Sequence, residues 1–274
     1  MQALTAGQKK QKRLLEIMSG FESAIIAFSG GVDSTLVLKA ASMAGIKKLL
    51  AVTSVSESHP EADAKNAVRL AGLMGVEHRL IKTNELADER YSSNGPRRCF
   101  YCKDELFGRL GEIAREGGYE HMLDGSSLDD AEDYRPGIEA ARAHGVRSPL
   151  MEAGLGKGDI RELSRALGLD TWDRPSSPCL ASRIPCGMPI TAGELMRVAM
   201  AENVLKKFGF REFRVRDHGD VARIEVPEGE LEKALSLRKE ISAGVGKYFR
   251  FVCLDMEGFR SGSLNKIFLN GRDK

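Results

Sequence analysis

The chain has 274 residues, 42% of them hydrophobic, enough to build one large domain or a medium one and a small one around a true core. Lys and Arg number 41 against 39 Asp and Glu, a formal charge of +2, which argues against a dedicated nucleic-acid scaffold but leaves room for local phosphate pockets. No apolar run reaches the length of a membrane span, and the opening MQALTAGQKKQKRLLEIM lacks the apolar centre of a signal peptide, so a cytoplasmic location is expected.

In chain order, SAIIAF reads as a strand and DSTLVLKAASMAG as a helix ending at Gly45. KLLAVTSVS is a second strand, EADAKNAVRLAGLMG a helix, and VEHRLIKT a third strand. CKDELFGRLGEIAREGG is helical, and YEHMLDGSS is a fourth strand closed by small residues. This alternation predicts an α/β fold, a doubly wound parallel sheet with ligands beyond the carboxyl ends of its strands. After Gly187 the rhythm becomes helix, hairpin, helix, strand, so a small α+β domain is expected over 188–274, following a larger one over 1–187.

The turn between the first strand and helix is Ser29-Gly30-Gly31-Val32-Asp33-Ser34. It leaves free amides at a helix N-terminus, and its glycines let an anion approach. Ser29 and Ser34 add hydroxyls, and Asp33 suits a magnesium ion held among oxygens. No Gly-Lys-Ser/Thr follows, and Gly-x-Gly-x-x-Gly is absent, so neither of the commoner phosphate-loop signatures applies. SGGVDS instead resembles the pyrophosphate-binding PP-loop of the ATP pyrophosphatase superfamily. That resemblance implies ATP cleavage to AMP, gives Ser29, Gly30, Gly31, Asp33 and Ser34 to pyrophosphate and magnesium, and sets adenosine near Phe28 and Thr53.

Three further stretches narrow the reading. RRCFYCKDELF spaces Cys99 and Cys102 as a CxxC pair. LDGSSLDDAEDYRPG follows the fourth strand with Gly125, Asp129, Asp130, Asp133 and Arg135. WDRPSSPCLASRIPCG places Cys179 and Arg183 in a Pro-rich loop. With FRSGSLN near the C-terminus, these resemble the LarE-type ATP-dependent sulfur transferases of nickel-pincer nucleotide synthesis over nearly the whole chain. The family adenylates a carboxylate of a pyridinium dicarboxylate mononucleotide and converts it to a thiocarboxylate. The resemblance makes Cys179 the sulfur-handling residue and gives Gly125, Asp130 and Arg135 to the nucleotide.

Family members either sacrifice the sulfur of a lone cysteine or carry sulfide on a 4Fe-4S cluster held by three cysteines. The CxxC pair matches the second pattern, with Cys99, Cys102 and Cys179 as ligands and one iron open to sulfide. Cys186 is read as a spare thiol. A four-cysteine zinc site and plain packed thiols at Cys99 and Cys102 fit the spacing as well. Cys253, in the apolar KYFRFVCL, is expected in the core.

Arg183 is read as a planar fork for a substrate phosphate or carboxylate, with a surface ion pair as the alternative. Arg214 and Arg216 alternate on one strand and so face one side; with Arg260 they make a candidate cluster for the substrate phosphate. The resemblance adds a subunit junction there, near Glu202, and hence a homo-oligomer. Trp172 is assigned to packing rather than stacking. Loops 90–98 and 174–187 are rich in Gly, Pro and Ser and suited to closing over a water-sensitive adenylate. A tRNA thiolase, an amidating synthetase and a nucleotide- or redox-sensing module are the rival functions. Near-neutral charge and the cysteine set weigh against the first two, and pyrophosphate release separates an enzyme from the third.

Overall fold

The structure is a computed structural model that describes residues 5–132, 136–260 and 264. Helix α1 (Ala6–Ser19) is followed in strict alternation by β1 (Ser23–Ala27), α2 (Val32–Met43), β2 (Lys48–Val55), α3 (Glu61–Leu73) and β3 (Glu77–Lys82). The short α4 (Glu89–Ser92) and the long α5 (Arg98–Gly117) lead to β4 (His121–Leu123). The four strands are parallel in the order β3-β2-β1-β4.

Consecutive residues of β1 feed opposite cores. Ile25 joins Leu50, Val52, Leu106, Phe107 and Leu110 on one face. Ala24 and Ile26 join Leu36, Leu38, Leu150 and Ile160 on the other. A sheet covered on both faces requires this pattern, so the doubly wound α/β fold read from the sequence is the one found. The strand order reverses between β1 and β4, and ligands of such sheets bind at that switch point. The Ser29–Ser34 turn leaves β1 there. The chain after β4 continues through α6 (Leu128–Glu132), α7 (Pro136–Ala143), α8 (Pro149–Glu152) and α9 (Lys157–Ala166).

Two compact units emerge: the chain up to Tyr91 with Arg97–Ser177, and Ser92–Pro96 with the chain from Pro178 onward. The Cys-Leu-Ala-Ser-Arg loop therefore belongs to the second unit, which begins ahead of residue 188. Asn94 ties its two segments together. Its Nδ2 donates to the carbonyls of Pro185 and Met188, each at 2.9 Å.

The second unit contains α10 (Ala192–Lys207), β5 (Arg214–His218), β6 (Val221–Glu225), α11 (Leu231–Ser236), α12 (Arg238–Val245) and β7 (Phe251–Leu254). β5 and β6 form an antiparallel hairpin turning at Gly219, φ 73°, and β7 lies parallel to β6. The helix expected after Pro227 is broken at Leu237, whose φ of −93° and ψ of 12° leave the helical region. Cys253 corrects the sequence reading: it is exposed, because β7 is an edge strand with Phe251 and Cys253 on its open face.

Candidate active site

In the first unit the strand–helix turn is shaped for an anion. Gly30 has φ 69°, and a Cβ there would stand 3.1 Å from the Ala67 Cα, so both conformation and space demand glycine. Gly31 caps α2 without a side chain, leaving the first-turn amides free of a capping group. The Ser29 and Ser34 hydroxyls are 3.1 Å apart at the mouth of the turn. From the loop after β4, Gly125 lies so close that a Cβ would come 2.9 Å from the Ser34 amide nitrogen. Thr53 donates to the Phe28 carbonyl at 2.5 Å and accepts from His78 Nε2 at 2.8 Å, with burial holding His78 below its ordinary pKa and so neutral.

Around this turn stands a set of charges the sequence reading named only in part. Lys157 Nζ lies 2.7 Å from Asp33 Oδ2 and 3.2 Å from Asp130 Oδ2. That oxygen of Asp130 also accepts from the amide and hydroxyl of Ser127, both at 2.8 Å. Asp129 instead accepts from the Lys157 backbone amide at 2.6 Å. Arg174 donates through Nη1 to the Gly30 carbonyl at 3.0 Å and through Nη2 to Asp63 at 2.6 Å. Sequence reasoning missed Lys157, Arg174 and Asp63. The available signals were a lysine opening a helix against its dipole and an arginine in the Asp-Arg-Pro preceding the cysteine loop. Asp133 and Arg135 lie outside the described residues. Trp172 is 38% exposed, with the Arg165 guanidinium 5.0 Å from its ring centroid.

In the second unit, Cys179 precedes a tight turn over Leu180–Arg183. Arg183 is 3% exposed and makes a two-point ion pair with Glu202, Nε to Oε1 at 2.7 Å and Nη2 to Oε2 at 3.1 Å. Its Nη1 donates to the Pro178 carbonyl at 2.8 Å and lies 3.3 Å from that of Cys179. The guanidinium thus braces the cysteine loop from within, and is no surface pair. Arg216 pairs with the fully buried Glu225 at 2.8 and 2.9 Å and donates to the Ser182 carbonyl at 2.9 Å. Burial, with Arg183 and Arg216 nearby, lowers Arg214 to about 10. Arg260, beyond β7, pairs with Glu257.

Cys99 is exposed and Cys102 half-buried at the start of α5 in the first unit; Cys179 and Cys186 are half-buried in the second. Cys186 donates its thiol to the Asn94 carbonyl at 2.9 Å. None of the five cysteines is in a disulfide. Thiols are soft donors of the kind that hold iron or zinc, and Asp33 offers magnesium an oxygen ligand. Among the described residues, no three His, Cys, Asp or Glu side chains are gathered around one metal position.

A parallel sheet whose first strand–helix turn is SGGVDS, closed by Gly125 and flanked by Lys157, defines a PP-loop enzyme that uses ATP. In agreement, a family model described as NAD synthase matches residues 12–97. The chain is 40% identical over 263 residues to the protein slr1717 of Synechocystis, covering 95% of this chain and 98% of the other. It is 36% identical over 258 residues to the pyridinium-3,5-bisthiocarboxylic acid mononucleotide synthase of Lactiplantibacillus plantarum, covering 93% and 94%. A glutamine-hydrolyzing GMP synthase of Aeropyrum pernix matches at 28% over 206 residues, 39% of its length. The chain belongs to the family of the Lactiplantibacillus synthase, the LarE family.

Proposed function

We propose that this protein is an ATP-dependent sulfur transferase that converts carboxylates of a pyridinium-3,5-dicarboxylate mononucleotide into thiocarboxylates, releasing AMP and pyrophosphate. The observation behind this reading is the similarity along 94% of the Lactiplantibacillus synthase, an enzyme named for a bisthiocarboxylic acid mononucleotide.

The reaction follows from the residues. A substrate carboxylate oxygen attacks the α-phosphorus of ATP, and the bond to the bridging oxygen breaks. Pyrophosphate leaves toward the amides and hydroxyls of Ser29, Gly30, Gly31 and Ser34; Asp33 would hold magnesium, which would supply positive charge to the leaving group. Adenosine is assigned to Phe28 and Thr53, and Gly125, Asp130 and Arg135 are assigned to binding the nucleotide. Sulfur then attacks the acyl carbon of the adenylate, and AMP departs with the oxygen that was the carboxylate's.

Cys179 is the sulfur-handling residue, and Arg183 holds its loop. Cys99, Cys102 and Cys179 would hold a 4Fe-4S cluster, which would supply exogenous sulfide to the acyl carbon. The substrate phosphate goes to Arg214, Arg216 and Arg260. The working form is a cytoplasmic homo-oligomer.

The test is to incubate anaerobically prepared protein with magnesium, ATP, the pyridinium dicarboxylate nucleotide and sulfide. One AMP and one pyrophosphate are expected for each sulfur that replaces an oxygen in the product. ATP cleavage with no sulfur-bearing product would contradict the reading.

A further inference from the structure

Asp33 sits in the first turn of α2, in the mouth of a turn built to receive phosphates. A lone carboxylate there repels the anion the amides attract. Its single hydrogen-bond partner among the described residues is Lys157 Nζ, at 2.7 Å. The ammonium is shared with Asp130 Oδ2 at 3.2 Å.

The two carboxylates are held very differently. Asp130 is 4% exposed and pinned by the amide and hydroxyl of Ser127. The side chains of Asp33 and Lys157 are 32% and 41% exposed. Lys157 is also the first residue of α9, where the helix dipole disfavours a cation. The carboxylates of Asp33 and Asp130 offset that penalty. A divalent cation on Asp33 would make the same place favourable to phosphate.

We propose that Lys157 is an exchangeable counter-ion of the turn and a further phosphate-binding residue. Without nucleotide its ammonium occupies the place of the magnesium ion on Asp33. When magnesium arrives with the nucleotide, the metal takes the Asp33 carboxylate and the ammonium swings on its four-carbon stem to the phosphates, with Asp130 as its fixed anchor. The inference rests on the assignment of Ser29–Ser34 to the phosphates of ATP and deepens it. It makes magnesium and Lys157 competitors when no phosphate is present and partners when phosphate is bound.

Calorimetric titration of the full chain with magnesium alone, and with pyrophosphate in saturating magnesium, tests both halves. Lys157→Met is expected to bind magnesium alone more tightly than wild type. It is expected to bind magnesium pyrophosphate about ten- to a hundredfold more weakly, the effect of losing one charge-assisted hydrogen bond. Lys157→Arg, which keeps the charge, should recover most of the pyrophosphate affinity. Lys157→Met binding magnesium pyrophosphate as wild type does would overturn the proposal and leave the turn's assignment standing. Wild-type protein that binds no magnesium pyrophosphate would overturn both.

Discussion

The guanidinium of Arg174 reaches across to the first strand–helix turn and donates to the carbonyl of Gly30 at 3.0 Å, while its other nitrogen holds Asp63 at 2.6 Å. Arg161 fixes the same segment by donating to the carbonyls of Trp172 and Arg174, at 2.8 and 3.0 Å. Gly30 is at φ 69°, and its carbonyl oxygen is engaged by Arg174.

Arg174→Lys cannot serve both partners, because a lysine lacks the planar fork. The KM for ATP is expected to rise about tenfold, with kcat at saturating ATP changing less. Initial-rate kinetics of AMP formation check this, and an unchanged KM would remove Arg174 from the account.

Much of this site was legible in the sequence and some was not, for a physical reason. The SGGVDS turn is local: amides, glycines and hydroxyls within six consecutive residues make the anion site, so the string alone declares it. Gly125 was visible as a small residue closing a strand. Lys157 and Arg174 were not, since they meet Asp33 and Gly30 across 124 and 144 residues of chain. Cys253 misled because its apolar neighbours look like a core strand, and only the sheet order shows that β7 is an edge.

The buried pair of Arg183 and Glu202 makes a stability prediction. Glu202→Ala strands a guanidinium that is 3% exposed and is expected to cost about 3 kcal/mol, with Glu202→Gln costing less. Urea denaturation measures it. A loss below about 1 kcal/mol would mean that water replaces the carboxylate easily and that the pair does not brace the cysteine loop.

Histidines set an acid limit. His59, His78 and His218 are each held below the ordinary 6.5, chiefly by burial. At His59 the Ser56 hydroxyl donates to Glu85 at 2.6 Å and accepts from Nδ1 at 3.1 Å, with Lys103 and Asp63 also in its field. The folded protein takes up these protons less readily than the unfolded chain. The stability they support is therefore complete above about pH 6.5 and is lost as pH falls through the lower folded values. Urea midpoints between about pH 7 and about pH 5 should decline, and His59→Gln should decline less. A flat profile would contradict this.

Metal content separates the sulfur chemistries. Anaerobically prepared protein is expected to hold about four irons and four labile sulfides per chain, lost in Cys99→Ala and Cys179→Ala and kept in Cys186→Ala. Zinc instead of iron would make the CxxC pair structural. No metal, together with conversion of Cys179 to dehydroalanine during turnover, would make that cysteine a sacrificial donor.

In the proposed reaction a carboxylate is activated as its adenylate on the Ser29–Ser34 turn and then exchanges oxygen for sulfur. The most direct measurement supplies the pyridinium dicarboxylate nucleotide with heavy oxygen in its carboxylates and follows the label by mass spectrometry. One labelled oxygen is expected in AMP for every thiocarboxylate formed, and none in pyrophosphate. Label in pyrophosphate or phosphate, or sulfur incorporation without labelled AMP, would contradict it.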